Sequence, residues 1–382
     1  MYICRKEVLM DNPFLTTGYQ GAEYFCDREE ETKKLTRLLT NGNNVALISP
    51  RRMGKTGLIR HCFAQDKILR KYNLFIVDIY ATKNLNDLVY EMGRQIVTEL
   101  KSRGRKGIEK FIDIVKSLRP GISFDIQGMP TWNIELGDIR TPALTLEEIF
   151  SFMEKADKPC LVAIDEFQSI SYYPEKNIEA TLRTYVQRSN NVHFVFAGSQ
   201  RSMMNEMFSS PARPFYQSVS IMHLGTIAED KYADFAKYHF ENNGRTISEE
   251  AFHNVYNKFD GVTWYIQKVM NHAYSLTEKG ETCDAGKIEK MVNEIIEENT
   301  ETYKNILFQI NPAQKALLIA IGKEGAASKI TGRAFVSKYS LASASSVQKA
   351  AAALLEKQII TNEQGVYEVY DKFFAMWLKV NG

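Results

Sequence analysis

The chain has 382 residues, of which 44% are hydrophobic and 25% charged, with a formal net charge of +2. This composition is typical of a soluble globular protein with two or three domains, and the net charge alone gives no argument for nucleic-acid binding. Five scattered cysteines without C-x-x-C spacing argue against a disulfide framework and a zinc site. No apolar run approaches the roughly 18 residues of a membrane helix. We therefore expect a cytoplasmic protein that binds no membrane.

The first predicted helix follows an aromatic segment near the N-terminus. Asp27 with Glu30 three residues later has the spacing of a capping box, which predicts that the helix begins there. Leu35, Leu38 and Leu39 give this helix an apolar face.

A phosphate-binding loop is predicted directly after the next element. Residues 45–48 form an apolar run short enough for a buried strand, residues 49–56 have the sequence Ser-Pro-Arg-Arg-Met-Gly-Lys-Thr, and a helical pattern follows. This context and spacing are those of a P-loop, whose backbone N–H groups hold nucleotide phosphates. Lys55 would place its charge over the β- and γ-phosphates, and the Thr56 hydroxyl would ligate Mg²⁺. The predicted binding residues are Ser49, Pro50, Arg51, Arg52, Met53, Gly54, Lys55, Thr56 and Gly57.

Ser49 departs from the P-loop pattern, which has glycine at this position. A serine fits only if its backbone keeps a negative φ, because glycine alone takes a positive φ without cost. Taken alone, the stretch has a second interpretation as a basic turn before a helix.

Phe14, Phe25 and Arg28 are candidates to line a pocket for the nucleotide base. A plain core position explains the two aromatic residues equally well.

The middle of the chain alternates predicted strands and helices. Apolar runs at 74–80, 160–164 and 192–197 predict buried strands, and an alternating segment at 218–224 predicts the last strand. Helical periodicity at 84–100 follows the first of these runs. This alternation indicates an α/β fold, a P-loop NTPase with a mostly parallel sheet, helices on both faces and ligands at the carboxyl ends of the strands.

An insertion and a further helix are predicted between the strands at 74–80 and 160–164. Period-2 alternation on either side of Gly128 predicts a β-hairpin insertion at about residues 121–137. Thr145 and Glu148 have the spacing of a capping box for a helix over 146–155.

Two acidic residues follow the apolar run at 160–164. Asp165 would hold the Mg²⁺, and Glu166 would polarise the water that attacks the γ-phosphate. An acidic pair after a strand is also a common helix start, but its position after a P-loop and one strand–helix unit indicates a Walker B motif. Ser199 and Gln200, after the next strand, are candidates to contact the γ-phosphate or this water, with a simple turn as the alternative.

From residue 228 onward the pattern is mainly helical. Helices over 228–242, 248–259, 263–279 and 285–308 predict a helical lid and a linker.

The last segment has the pattern of a winged helix-turn-helix. Residues 312–323, 331–339 and 343–357 predict three helices, with Ser343 as the cap of the third, and a hairpin follows around Gly365. Phe373, Phe374 and Trp377 would pack a final helix on its core.

The partner of the winged helix is left open by its residues. From Asn311 on there are nine Lys or Arg against five Asp or Glu, and the third helix offers Ser345, Ser346, Gln348 and Lys349 to base edges. DNA contact and a protein-docking or self-regulating role are both retained.

Several segments together resemble the archaeal-type ATPase family. They are Asn-Pro-Phe at 12–14, residues 25–30, Pro-Arg-Arg-Met-Gly-Lys-Thr at 50–56, Asp-Glu-Phe-Gln at 165–168, and residues 370–378. The resemblance covers nearly the whole chain from Asp11, and the family belongs with the signal-transduction (STAND) ATPases close to the AAA+ class. It implies an ATPase core at 1–226, a helical lid and linker at 227–308 and a winged helix at 309–382.

The resemblance also implies roles by position. Lys55 and Thr56 match the phosphate and Mg²⁺ residues, Asp165 and Glu166 the Walker B pair, and Ser199 the sensor at a strand tip. Arg201 and Arg213 are candidate arginine fingers or sensors. Related ATPases have Gly-x-Pro at the lid, where the proline touches the base; Thr263 stands in its place here, which leaves this contact open.

These observations predict an ATP-driven switch. ATP and Mg²⁺ would bind at the sheet edge, the lid would close and reposition the winged helix, and hydrolysis to ADP would reset it. An arginine supplied in trans would make turnover depend on a homo-oligomer or a protein partner. The alternative is a non-hydrolysing ATP-binding regulator or scaffold, which Ser49 and Thr263 favour and the Asp165–Glu166 pair opposes. No guanine-reading Asn/Thr-Lys-x-Asp motif follows the last strands, which favours ATP over GTP.

Overall fold

The computed structural model describes residues 12–101, 105–117, 121–124, 130–133 and 139–382. The chain divides into two compact units. Unit 1 comprises Met1–Phe235 and Gly261–Lys268, and unit 2 comprises Ala236–Asp260 and Val269–Gly382. No helix in the described residues is long and apolar enough to cross a membrane.

Unit 1 alternates strands with helices. Its strands are β1 Val45–Ile48, β2 Asn73–Asp78, β3 Gly121–Phe124, β4 Pro130–Asn133, β5 Cys160–Asp165, β6 Val192–Gly198 and β7 Ser220–His223. Its helices are α1 Glu29–Thr40, α2 Lys55–Phe63, α3 Asp66–Leu69, α4 Leu85–Lys101, α5 Arg105–Ile114, α6 Pro142–Glu154, α7 Ile178–Arg188 and α8 Arg201–Ser209. Two more helices begin in unit 1 and end in unit 2, α9 Glu229–Glu241 and α11 Thr263–Leu276.

The sheet of unit 1 has five parallel strands in the order β2-β5-β6-β1-β7. In its register Asp78 lies opposite Asp165 and Ile48 lies opposite Gly198, so the predicted motifs follow strands that end at the same edge. The predicted parallel α/β sheet is confirmed.

Successive side chains of each strand enter different cores, because strand residues alternate between the two faces of a sheet. Ala46 and Ile48 belong to one core, which α4 and α6 cover, while Val45 and Leu47 belong to the other, which α1 and α2 cover. All four residues are at most 1% exposed. Helices therefore pack on both faces, as the α/β pattern predicts.

Both predicted capping boxes in unit 1 are wrong. Helix α1 begins at Glu29 after Arg28, whose φ of 63° is left-handed and whose side chain makes no capping hydrogen bond. Helix α6 begins earlier than predicted, so Thr145 lies inside it. There the Thr145 hydroxyl lies 2.7 Å from the Ser117 hydroxyl, and the Glu148 carboxylate accepts from Ser117 N–H at 2.9 Å. Thr145 and Glu148 therefore contact Ser117, which is distant in sequence, and do not cap the helix.

The expected hairpin insertion is present as a pair of antiparallel strands. In β3 and β4, Ile122 lies opposite Trp132 and Gly121 lies opposite Asn133. Residues 125–129 and 134–137 of the predicted insertion lie outside the described residues.

Unit 2 is mainly helical. Its helices are α10 Glu249–Lys258, α12 Ala285–Glu298, α13 Thr300–Phe308, α14 Pro312–Glu324, α15 Arg333–Lys338, α16 Ala344–Glu356 and α17 Lys372–Asn381. Its strands are β8 Thr246–Ile247, β9 Thr282–Cys283, β10 Ala327–Ser328, β11 Ile360–Glu363 and β12 Val366–Val369. The helix predicted over 285–308 is divided at Asn299, whose side chain donates to the Ile295 carbonyl at 2.7 Å.

The end of unit 2 has the order of a winged helix, α14-β10-α15-α16-β11-β12, with β12 between β10 and β11 in an antiparallel sheet. Ser343 caps α16 by accepting from Ser346 N–H at 3.2 Å, as predicted. The last helix packs back on unit 2: Phe374 stacks on Tyr303 with ring centroids 4.8 Å apart, and Trp377 Nε1 donates to Thr300 Oγ1 at 3.2 Å.

Candidate active site

A cavity of about 340 Å³ in unit 1 lies against the loop between β1 and α2. Its volume is in the range of small-molecule sites. The lining includes residues 15–20, 24–26, 51–57 and 263–264, together with Arg28, Glu166, Ile227 and Gln267. A larger cavity of about 570 Å³ near Leu69 and Lys158 is lined by none of the predicted site residues.

The backbone of the loop has the conformations that a P-loop of this sequence needs. Ser49 is not among the positive-φ residues of the described chain, as the serine at this position requires. Arg52 and Gly54 have φ of 67° and 90°. Ser49 N–H donates to the Gly198 carbonyl at 3.3 Å, and its hydroxyl donates to the Pro50 carbonyl at 2.9 Å. Serine is therefore compatible with this loop.

Two carbonyl groups of the loop accept hydrogen bonds from outside it. Trp264 N–H donates to the Arg52 carbonyl at 3.0 Å. The Met53 carbonyl accepts from Arg28 Nη2 at 3.2 Å and from Thr263 Oγ1 at 3.4 Å. The Arg52 guanidinium also lies over the Trp264 ring, 4.3 Å from its centroid. The first turn of α11, where threonine replaces the expected proline, is thus bound to the loop.

Arg28 lines the cavity, but its guanidinium binds protein carbonyl groups. It is 3% exposed and donates to the carbonyls of Met53 at 3.2 Å, Gly225 at 2.7 Å and Thr226 at 3.5 Å. Glu31 is its ion-pair partner at 2.9 Å. Its contacts therefore place it as a positioning residue that joins the loop to the segment after β7.

Arg28→Ala is expected to lower the free energy of unfolding by about 2–4 kcal/mol, because it removes the guanidinium that donates to the Gly225 and Thr226 carbonyls and pairs with Glu31. Urea denaturation measures this change. Arg37→Ala, on the exposed face of α1, is the matched control and should stay within about 0.5 kcal/mol of the wild type. Equal stability of the two variants would contradict the positioning role.

The two aromatic candidates have different surroundings. Phe25 is partly buried, lines the cavity and stacks on His61 with ring centroids 4.2 Å apart. Phe14 is fully buried and packs edge-on against Phe235, so it is a core residue. Burial lowers the pKa of His61, whose Nδ1 lies 2.9 Å from the Tyr19 hydroxyl.

The buried side chains of Lys55 and Asp165 and the exposed side chain of Thr56 form one cluster. Burial lowers the pKa of Lys55, and the charges of Glu166 and Asp165 oppose this shift. The Thr56 hydroxyl donates to the Asp165 carboxylate. Burial raises the pKa of Asp165, against the effects of that hydrogen bond and of Lys55. A hydroxyl and a carboxylate oxygen in contact are ligands that Mg²⁺ prefers, so these residues fit the ion.

Glu166 is held by a small hydrogen-bond network. Its Oε2 accepts from Ser199 Oγ and from Gln168 Nε2, both at 2.5 Å, and Arg51 Nε donates to Ser199 Oγ at 3.3 Å. Glu166 has a φ of 56°, which is uncommon for a non-glycine residue and is concentrated at functional sites. The structure thus brings together five predicted residues from the loop and two strand ends, namely Lys55, Thr56, Asp165, Glu166 and Ser199.

Arg213 and Gln200 bind elsewhere. Arg213 forms ion pairs with Glu179 and, at 3.4 Å, with Glu206, and it is not among the described residues that line the cavity. Gln200 Oε1 accepts from the Tyr172 hydroxyl at 3.2 Å.

Three residues without a predicted role lie beside these groups or line the cavity, namely Gln168, Trp264 and Gln267. Gln168 belongs to the Asp-Glu-Phe-Gln segment, and that position next to the acidic pair was a usable signal. Trp264 and Gln267 lie more than two hundred residues from the loop in sequence. The only signal near them in the sequence was Thr263, which stands where related ATPases have the lid proline.

Comparisons with known proteins identify the family of the chain and its fold. Residues 25–269 match the family described as an ATPase domain predominantly from Archaea, and residues 301–380 match a probable winged helix domain. No curated protein sequence matches the chain.

Solved structures show a similar fold at low sequence identity. A Walker-type ATPase of Pyrococcus abyssi aligns with a TM-score of 0.65 and 18% identity over 96% of this chain and 100% of that chain. The Aeropyrum pernix ORC2 protein, described in ADPNP–ADP complexes, aligns with a TM-score of 0.55 and 14% identity over 92% of each chain. The Aeropyrum pernix ORC1 protein in complex with DNA aligns with a TM-score of 0.52 and 12% identity over 93% of this chain and 92% of that chain.

Proposed function

The chain belongs to the family of ATPase domains found predominantly in Archaea, and from this premise we propose that it is a Mg²⁺-dependent ATPase that works as a nucleotide-driven switch for its winged helix. The observation that carries the proposal is the cluster of Lys55, Thr56, Asp165, Glu166 and Ser199 beside one cavity. These are the residue types that phosphoryl transfer to water requires.

We assign one role to each of these groups. Lys55 and the loop N–H groups hold the β- and γ-phosphates, and Glu166 accepts a proton from the attacking water. Thr56 and Asp165 would hold Mg²⁺, which supplies positive charge at the β- and γ-phosphate oxygens when bound. Ser199, which donates to Glu166 at 2.5 Å, would orient that carboxylate or contact the γ-phosphate.

The proposed switch uses the helix α11. It begins at Thr263, which donates to the loop carbonyl of Met53, and the same helix ends in unit 2. A change in the loop on nucleotide binding or release would therefore act on a helix whose later turns belong to unit 2. We propose the parts as an ATPase core at 1–226, a lid and linker at 227–308 and a winged helix at 309–382, in a protein close to the AAA+ and STAND classes.

ATP turnover per subunit, measured against protein concentration, tests this function. We expect the rate to rise with concentration, because an arginine supplied by a second copy or a partner, for which Arg213 and Arg201 remain our candidates, can raise turnover by about 10³–10⁵. A flat and negligible rate together with tight ATP binding would contradict the ATPase role.

The second candidate function is a non-hydrolysing regulator that binds ATP. It is favoured by the engagement of Glu166 with both Ser199 and Gln168, since a carboxylate that already accepts two hydrogen bonds is less available to water. Persistent ATP binding with no turnover under any assembly condition supports this alternative.

DNA is the proposed partner of the winged helix. The ORC1 neighbour is described in complex with DNA, and Ser345, Gln348 and Lys349 are exposed on α16. A winged helix places such a helix in the major groove.

Lys349→Ala is expected to weaken duplex binding and to reduce the slope of log affinity against log salt by about one, because one phosphate contact is lost. Fluorescence anisotropy at several salt concentrations measures the slope. Lys315→Ala, an exposed lysine on α14, is the control. Absence of duplex binding by the wild type would leave the winged helix as a protein-docking domain.

A further inference from the structure

The two carboxylate oxygens of Glu166 have different surroundings. Oε2 accepts from Ser199 Oγ and from Gln168 Nε2, both at 2.5 Å. Within the residues that the structure describes, the other oxygen, Oε1, accepts no hydrogen bond and is not enclosed by protein atoms, and Glu166 lines the cavity. The protein therefore holds one oxygen and leaves the other open to the cavity.

The donors around Ser199 fix the direction of each hydrogen bond in this network. Ser199 Oγ lies 3.3 Å from Arg51 Nε and 3.4 Å from Gln168 Nε2, and both nitrogens can only donate. The single hydroxyl proton of Ser199 is therefore left for Glu166 Oε2. The Gln168 amide cannot be turned over, because its oxygen would then face the carboxylate of Glu166 and two acceptors repel.

Gln168 is held firmly in its place. It is 1% exposed and lies on a 3₁₀ helix, Phe167–Tyr172, which follows β5. Its neighbour Phe167 is fully buried and packs on Phe196, with ring centroids 4.5 Å apart. Gly198 makes room for the amide, since a β-carbon at this position would lie 2.5 Å from Gln168 Oε1. A group so enclosed can fix the position of the carboxylate to which it donates.

We propose that Gln168 is a positioning residue for ATP hydrolysis, which together with Ser199 anchors Glu166 through Oε2 so that Oε1 is the atom that accepts the proton of the attacking water. The water oxygen forms a bond to the γ-phosphorus, its proton passes to Oε1, and the bond to the bridging oxygen breaks with the electron pair on ADP. A base that is already oriented needs no rearrangement during the reaction. This inference rests on the proposed function, in which Glu166 is the general base.

Gln168→Met tests this role, because methionine keeps the length of the side chain and removes the donor. We expect kcat for ATP hydrolysis to fall about 10- to 100-fold while the Kd for ATP stays within about 2-fold of the wild type, since a displaced base slows the chemical step without weakening the hold on the phosphates. Phosphate release gives kcat, and calorimetric titration gives the Kd. Gln187→Met, the same change on the exposed face of α7, should match the wild type in both.

A double-mutant cycle separates positioning from a general structural effect. In the Glu166→Gln background there is no base to position, so adding Gln168→Met should change the residual single-turnover rate by less than about 2-fold. Equal losses in the two backgrounds would assign Gln168 a structural role and overturn the proposal. A wild-type kcat in Gln168→Met would overturn it as well.

Gln168→Asn provides a second variant in case methionine disturbs folding, which urea denaturation would reveal. It keeps an amide but is shorter by one methylene, so the NH₂ group is withdrawn from Glu166, and we expect a loss of kcat in the same range. A folded Gln168→Asn with the wild-type kcat would contradict the proposal. Undiminished turnover in Glu166→Gln alone is a distinct result, because it would remove the proposed base itself.

Discussion

Glu166→Gln should lower the ATP turnover number by about 10²–10⁴ while ATP binding is retained, because the amide cannot take the proton of the attacking water. The substitution keeps the size of the side chain. Its carbonyl oxygen can still accept from Ser199 and Gln168, which both donate to Glu166 Oε2 in the wild type. Steady-state phosphate release gives the turnover number, and equilibrium titration with ATP gives the affinity.

The control for this variant is Glu147→Gln, an exposed residue of α6, which should turn over ATP like the wild type. Measurements should be made at a protein concentration where the wild-type rate per subunit no longer rises, so that assembly does not limit either protein. Undiminished turnover in Glu166→Gln would exclude this carboxylate as the general base.

Lys55→Ala should weaken ATP binding by about 10- to 100-fold, since a charge-assisted hydrogen bond to a phosphate contributes about 1.5–3 kcal/mol. Lys55 is 6% exposed and lies close to Asp165 and Glu166, whose charges favour its protonated form. Its removal therefore also leaves two carboxylates beside the triphosphate without a compensating cation, which adds to the loss.

Lys67→Ala, an exposed lysine on α3, tests whether the loss is specific to the loop. Calorimetric titration with ATP and with ADP separates the phosphates that Lys55 contacts, because a contact with the γ-phosphate is absent from ADP. Wild-type affinity for both nucleotides in Lys55→Ala would contradict the placement of the triphosphate at this loop.

The strands, the order of the motifs and the winged helix could be predicted from sequence because they depend on short-range patterns. Apolar runs of four to seven residues predicted β1, β2, β5 and β6, and an alternating segment predicted β7. The parallel pairing of these strands followed from their alternation with helices. The Ser199 and Glu166 side chains could be placed together because both follow parallel strands that end at the same edge.

Helix starts were less predictable where side chains have distant partners. The Asp27–Glu30 spacing suggested a cap, but the chain turns through left-handed φ at Asp27 and Arg28, and the Arg28 guanidinium is drawn to buried carbonyls nearly two hundred residues away. A capping hydrogen bond contributes about 1 kcal/mol, whereas each hydrogen bond from a charged guanidinium contributes about 1.5–3 kcal/mol.

The sequence by itself determined the fold class and predicted the phosphate-binding residues, because a P-loop and a Walker B pair are contiguous segments whose chemistry is local. Only the tertiary structure decided which distant side chains contact the loop. The first turn of α11 binds the loop across 210 residues through Thr263 and Met53, and the Arg28 guanidinium binds the same Met53 carbonyl. Such contacts depend on how helices pack, and no periodicity along the chain records which buried polar groups will meet.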